Sequence, residues 1–396
     1  MLFPLPHDGW AAVPLVLAVL LALGGGCGSE TTSTDEGTAR LQRTVDSLRA
    51  ADGFPGATAA VVTPDGAVHT AATGWADRED STRMTPDTRM LGGSTGKSFA
   101  AAVVLALAQD GVVDLDGPVS RWLGERPWFD RLPNADALTL RHLLRHRSGL
   151  VDHIHTDAFR RAMQRKRAAE GPDARLAPDE MVRLVLDTDP LFPAGTGYHY
   201  SDTNYILAGL AVEAATGRAY ADVLRARLLD PLGLSDTDPS DRRALPGLAA
   251  GYIEGENPFG LPPKVTRDGV LVYNPATEWT GGGLVTTARD LARWARLLYE
   301  GEALPGDDLD ALLDAVPKDS SQRARFGPEV RYGLGVTIRE TPLGVAYGHR
   351  GWTPGYLSVF EYYPAHEVAV AVQVNAQGPY DLTDYAVRLA RAALRP

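Results

Sequence analysis

Ser94 and Lys97 are three residues apart in Gly92-Gly93-Ser94-Thr95-Gly96-Lys97-Ser98, directly before the apolar stretch from Ser98 to Gln109. On the first turn of a helix this spacing puts both side chains on one face. A serine hydroxyl becomes a strong nucleophile when a neighbouring base takes its proton. A lysine buried at the end of an apolar helix can lose its charge and serve as that base. The N–H groups at the start of the same helix can hold a developing oxyanion. The chain has only four lysines (Lys97, Lys166, Lys264 and Lys318); the other 35 of its 39 basic residues are arginines. Arginine stays protonated, so an amine base cannot drift to it.

Two further segments carry chemistry. Tyr198-His199-Tyr200-Ser201-Asp202-Thr203-Asn204-Tyr205 lies between a Pro/Gly-rich loop and a helical pattern. Tyr347-Gly348-His349-Arg350-Gly351-Trp352-Thr353-Pro354-Gly355-Tyr356 reads as a strand edge and the turn after it. Rival readings exist. Gly96-Lys97-Ser98 ends like a phosphate-binding loop, but the glycine that motif needs five residues before Gly96 is Leu91. Asp152-His153-Ile154-His155-Thr156-Asp157 looks like part of a zinc site; the competing expectation is a surface loop in an insertion, Val151 to Glu180, and no metal is implied. A Ser-His-Asp enzyme is a third rival, and a pocket that acylates without turnover is a fourth.

Ser94-x-x-Lys97, then Tyr200-Ser201-Asp202, then His349-Arg350-Gly351, in this order, resemble the serine β-lactamase and penicillin-binding-protein superfamily, and most closely its class C β-lactamase and DD-peptidase branch. Leu140 to Leu150, Gly281-Gly282-Gly283-Leu284-Val285-Thr286-Thr287 and Val113 to Leu123 fit the same family, so the likeness covers about residues 40 to 396. The resemblance implies an acyl-enzyme on Ser94, with Lys97 and Tyr200 sharing the proton work. It implies an oxyanion hole from the N–H groups of Ser94 and Trp352. Asp202, His349, Arg350 and Gly351 would line the substrate site, and no cofactor is needed. Two departures bear on substrate. The second motif often ends in Asn, but here in Asp202, which when ionised cannot donate to a substrate carbonyl and can pair with Lys97 or a cationic substrate. The third begins with His349 rather than Lys. A DD-carboxypeptidase-like or D-amino-acid peptidase activity on small peptides leads, with an ester or β-lactam as the alternative substrate.

The elements that must position these residues are legible in outline. Gly56 to Val62 and Ala67 to Thr73 read as strands joined by the turn Pro64-Asp65-Gly66. Tyr332 to Arg339, Val345 to His349, Leu357 to Tyr363 and Glu367 to Val374 read as strands, and Asp381 to Leu394 as a final amphipathic helix. Between lie mostly helical patterns. The expected fold is α/β (α+β): an antiparallel sheet built from both chain ends, flanked by helices, with a mainly helical inserted subdomain. The 396 residues, 44% hydrophobic, suffice for a large core, and a net charge of −11 argues against nucleic acid as partner.

The N-terminus adds a location. The apolar run Pro14 to Leu23 is shorter than the roughly 20 residues of a spanning helix and is followed by Gly24-Gly25-Gly26 and Cys27, the only cysteine. The pattern resembles a lipoprotein-type signal peptide over 1–27, with Cys27 as lipid anchor to the membrane's outer face, a flexible tether over 28–38, and the hydrolase domain over 39–396. The expectation is an exported protein.

Overall fold

The computed structural model describes residues 30–304, 306–320, 323 and 329–395. The signal-like segment and Cys27 lie outside the described residues. Chain order runs α1 (Glu30–Asp52), β1 (Gly56–Val62), β2 (Val68–Asp77), α2 (Gly96–Gln109), α3 (Asp157–Glu170), α4 (Asp202–Thr216), α5 (Ala288–Tyr299), β3 (Thr337–Thr341), β4 (Gly344–Thr353), β5 (Tyr356–Tyr363), β6 (Val368–Val374) and α6 (Leu382–Ala393), with shorter pieces between. The sheet joins both chain ends as the sequence suggests. Its central order is β3-β4-β5-β6-β1-β2, every pair antiparallel, and short strands extend both edges.

Burial on both faces explains the strand sequences. In β6, Val368, Val370, Val372 and Val374 face a cluster formed with α1 and α6, whereas Ala369 and Ala371 face the cluster that contains α2, α4 and α5. A strand covered on both sides reads as a continuous apolar run rather than an alternation. The interior helix α2 is pinned to α5 by stacking of Phe99 on Trp294 at 4.1 Å and by a 2.9 Å bond from the Trp294 indole N–H to Ser98 Oγ. These contacts fix the start of α2, where Ser94 and Lys97 sit.

Three expectations are corrected. The stretch read as a tether is helical from Glu30 onward. Its charged and hydroxyl residues lack apolar periodicity, but strand β2 supplies a foothold: Thr38 Oγ1 lies 3.2 Å from His69 Nδ1, and Gly37 is so close to the same ring that a Cβ would meet it at 2.5 Å. The Val151 to Glu180 insertion is not a surface loop. Asp152 and His153 are buried, and α3 follows them, capped by the Thr156 hydroxyl. The stretch Tyr332 to Arg339 is two strands, not one, broken at Gly335. Gly335 has φ +73°, and a Cβ there would meet the Lys97 carbonyl oxygen at 2.6 Å, so the break presses a turn against α2.

The same close packing joins the central strand β4 to the serine loop. A Cβ on Gly351 would stand 1.8 Å from the Gly92 carbonyl oxygen and 2.2 Å from Ser358 Oγ, and the Ser358 hydroxyl donates to that same carbonyl at 2.5 Å. Gly351→Ala therefore forces β4 and the Ser94 loop apart. We expect a loss of about 1–3 kcal/mol from overpacking, read as a lowered midpoint in denaturant unfolding, together with a fall in Ser94 labelling by a fluorophosphonate.

Candidate active site

The serine loop is a tight turn (Gly93–Thr95) leading into α2. Gly93 has φ +55°, and a Cβ there would meet the Trp352 backbone nitrogen at 2.7 Å; a Cβ on Gly282 would meet Ser94 N at 2.9 Å. Glycines therefore let three segments distant in sequence (the Ser94 loop, β4 and the 281–283 loop) close around one hydroxyl. The predicted one-face arrangement holds: Lys97 Nζ donates to Ser94 Oγ at 3.1 Å.

Lys97 is fully buried. Its amine also reaches the Gly281 carbonyl and the Asp202 carboxylate, both in very short contacts. An ammonium has three N–H donors, and these three acceptors match them. Burial, the force the sequence offers for freeing the amine, thus meets an opposing carboxylate. Asp202 is placed by α4, whose first residue it is, where the helix N-terminus favours a negative charge. Its backbone N–H donates to Asp152 Oδ1 at 3.1 Å. Burial, and then the Asp202 charge, hold the Asp152 carboxyl well above the usual carboxylate range.

The Tyr200 phenol lines the same cavity as Ser94 and acts on it at short range. Burial, and then Asp202, push Tyr200 well above the ordinary phenol range, with the nearby Ser94 hydroxyl acting the other way. The resting phenol keeps its proton at neutral pH. Behind it stands His146, with ring centroids 4.2 Å apart. His146 Nδ1 accepts from the Ser201 backbone N–H at 3.2 Å and from Asn204 Nδ2 at 3.1 Å. Two donors on Nδ1 place the ring proton on Nε2, and burial holds the imidazole neutral.

His349 is buried, and burial followed by the Lys97 charge hold it well below the usual imidazole range. Its Nδ1 lies 2.6 Å from the Arg350 carbonyl, which can only accept, so the proton sits on Nδ1 and Nε2 accepts from the Tyr332 hydroxyl at 2.8 Å. Both nitrogens face protein, so His349 does not serve as the base on Ser94. This decides against the Ser-His-Asp rival, although Gly92-Gly93-Ser94-Thr95-Gly96 has the Gly-x-Ser-x-Gly spacing of such enzymes. Among the described residues no cluster of three or more metal-ligating side chains occurs, and His153 is a buried core histidine bonded to Thr203 at 3.0 Å.

One cavity of about 390 Å³ gathers the sequence-predicted residues. Ser94, Tyr200, Asp202, His349, Arg350, Gly351 and Trp352 all line it, and Lys97 lies beneath Ser94. Sequence reasoning missed Asp152, Glu278 and Lys318, which also line it. Burial, and then Arg350, push Lys318 down to about 7. Burial, and then Asp202, push Glu278 up to about 7. Asp152 stands in the His-x-His stretch read as a loop, and Glu278 just precedes the noted Gly281-Gly282-Gly283.

The comparisons with known proteins agree on one family. The family model described as Beta-lactamase matches residues 41–395. The chain belongs to the β-lactamase family. Penicillin-binding protein 4* of Bacillus subtilis is 26% identical over 311 residues, covering 76% of this chain and 63% of that protein; the chain thus spans less than two thirds of that relative. Esterase EstB of Burkholderia gladioli is 30% identical over 337 residues, covering 81% of this chain and 79% of that one. Among solved structures, a D-stereospecific amidohydrolase from Streptomyces sp. superimposes with a TM-score of 0.75 at 27% identity, over 90% of this chain and 98% of that one. The antiparallel sheet with flanking helices is that family's fold.

The Lys97–Asp202 pair gives a test of this geometry. Asp202→Ala leaves the Lys97 charge buried without its counter-ion, which typically costs about 3–5 kcal/mol. Asp202→Asn keeps an oxygen acceptor and should lose less. Thermal and denaturant unfolding of both variants would show that order; equal stabilities would mean the pair carries no weight.

Proposed function

We propose that this member of the β-lactamase family is a serine hydrolase that forms an acyl-enzyme on Ser94 and cleaves amide bonds of D-amino-acid peptides, as a DD-carboxypeptidase-like or D-amino-acid peptidase enzyme. The observation that carries the reading is the Ser94 hydroxyl bonded to the buried Lys97 amine, with the Tyr200 phenol in the wall of the same cavity. The Lys97 ammonium can first pass a proton to the Asp202 carboxylate it touches, and the amine so freed takes the Ser94 proton as the hydroxyl attacks the carbonyl. Lys97 and Tyr200 return a proton to the leaving nitrogen, and Tyr200, protonated at rest, is suited to that delivery. The N–H groups of Ser94 and Trp352, brought together by Gly93, would receive the oxyanion. Water then repeats the sequence on the ester. The likeness to a D-stereospecific amidohydrolase supports the D-configured substrate.

A second reading, hydrolysis of small acyl esters, is favoured by Asp202. Its carboxylate is committed to Lys97 and has no proton to offer a substrate amide, a contact that an ester does not need. The likeness to EstB supports the same reading. Export across the membrane, with Cys27 as lipid anchor, belongs to the proposal on the strength of the N-terminal sequence alone.

Intact-mass analysis after a fluorophosphonate, with peptide mapping, should show one adduct on Ser94 and none in Ser94→Ala. Tyr200→Phe should lower kcat on a D-aminoacyl anilide by about 10²–10⁴-fold, the usual weight of general acid–base catalysis, with a smaller change in KM. An unlabelled Ser94 would end the acyl-enzyme reading. Near wild-type turnover in Tyr200→Phe would remove Tyr200 from it.

A further inference from the structure

A second cavity, of about 450 Å³, lies against the Ser94 pocket. The two share Phe159, Phe259 and Glu278 in their walls, so these three side chains stand at the boundary between them, called the neck below. Beyond the neck the walls are mostly apolar, with Met163, Leu261, Tyr273 and Pro275 among them. The two nearby arginines have protein partners: Arg160 pairs with Asp157, and Arg167 donates to the Val272 carbonyl at 3.3 Å.

Glu278 is the odd member of this lining. Asp202 is paired with Lys97, and Asp152 accepts the Asp202 backbone N–H. The Glu278 carboxyl, by contrast, has no hydrogen bond or ion pair among the described residues; only the fields of Asp202 and Lys97 act on it. A carboxyl placed at a neck between two cavities without a protein donor is a ready acceptor for a cation. Arg350 and Lys318 also line the Ser94 pocket, whereas Glu278 feels the fields of Asp202 and Lys97.

We propose that the second cavity is the subsite for a bulky apolar side chain on the acyl half of the substrate, and that Glu278 at its neck receives that half's free ammonium group. The inference rests on the reading of Ser94 as an acyl-transfer nucleophile and deepens it: the preferred substrates are unblocked aminoacyl compounds with a large aromatic or aliphatic side chain. A methyl side chain would leave most of the cavity unfilled and forgo the apolar burial. An acylated or absent amine would leave the Glu278 carboxyl unpartnered.

Equilibrium binding to the full-length Ser94→Ala variant reads the subsite without turnover. The probes are D-tryptophan amide, its desamino analogue 3-(indol-3-yl)propanamide, and D-alaninamide. D-tryptophan amide should bind tighter than each of the other two by about tenfold or more, which corresponds to about 1.4 kcal/mol. Adding Glu278→Gln should erase the preference for the amine and keep that for the indole; adding Met163→Trp should do the reverse. Equal affinities for the three probes, or preferences that survive both substitutions, would overturn the proposal. The ligand series on the single variant stays decisive even where a second substitution unfolds the chain. Failure of the hydrolase reading shows up separately, as an unlabelled Ser94 in the wild-type protein.

Discussion

The positive charge of Lys97 has to be held inside the protein, and most of the site is a consequence. Removing an ammonium from water costs several kcal/mol unless charge and hydrogen bonds replace the lost hydration. Here the replacement comes from Asp202, the Gly281 carbonyl and Ser94 Oγ. These acceptors belong to the start of α4, a loop just before α5, and the turn before α2. Supplying them from separate parts of the chain fixes those parts relative to one another. The apolar length of α2, wedged against Trp294, keeps the amine from escaping to solvent. The glycines at 93, 282, 335 and 351 let backbone approach backbone where side chains would hold the segments apart.

Burial then sets the protonation pattern around that charge. Tyr200 keeps its proton, while His146 and His349 stay neutral with their tautomers fixed by their hydrogen-bond partners. With Lys97 compensated by Asp202, the third motif contributes no charge at His349. Arg350 and Lys318 bring basic groups to the same pocket, and Asp152, Asp202 and Glu278 bring carboxyls. A pocket lined by both kinds of group selects by the placement of charge on its ligand as much as by shape.

The sequence carried the nucleophile, its amine, its phenol and the sheet, because each depends on short-range rules. Serine and lysine three apart before an apolar helix need only the helical repeat. The strand pattern of β5 and β6 needs only burial on both faces. What was not legible depends on long-range contacts. Glu278 precedes three glycines with no periodic or spacing signal, and its meaning arises only when the 281–283 loop closes on Gly93 and Ser94. The Val151 to Glu180 segment is polar enough to read as a surface loop, yet Thr203 and the Asp202 backbone bury its His153 and Asp152. The helix at Glu30 has no propensity signal of its own in Thr31-Thr32-Ser33-Thr34, and its visible support is the contact of Gly37 and Thr38 with His69.

The acid at position 202 ties these strands of argument together. An asparagine there would offer the Lys97 ammonium an oxygen and a substrate amide a donor at the same time. An aspartate gives Lys97 a full counter-charge and gives the substrate only an acceptor. The corner of the pocket that elsewhere in the family donates to a carbonyl is here rich in acceptors, with Asp152 behind it and Glu278 beside it. Such a corner disfavours a neutral acylamino side chain, whose carbonyl oxygen would face carboxylates. It favours an ammonium, which has donors for each of them and a charge of the right sign. The substitution that weakens the likeness to a β-lactam hydrolase is therefore the one that gives a free-amine substrate its place.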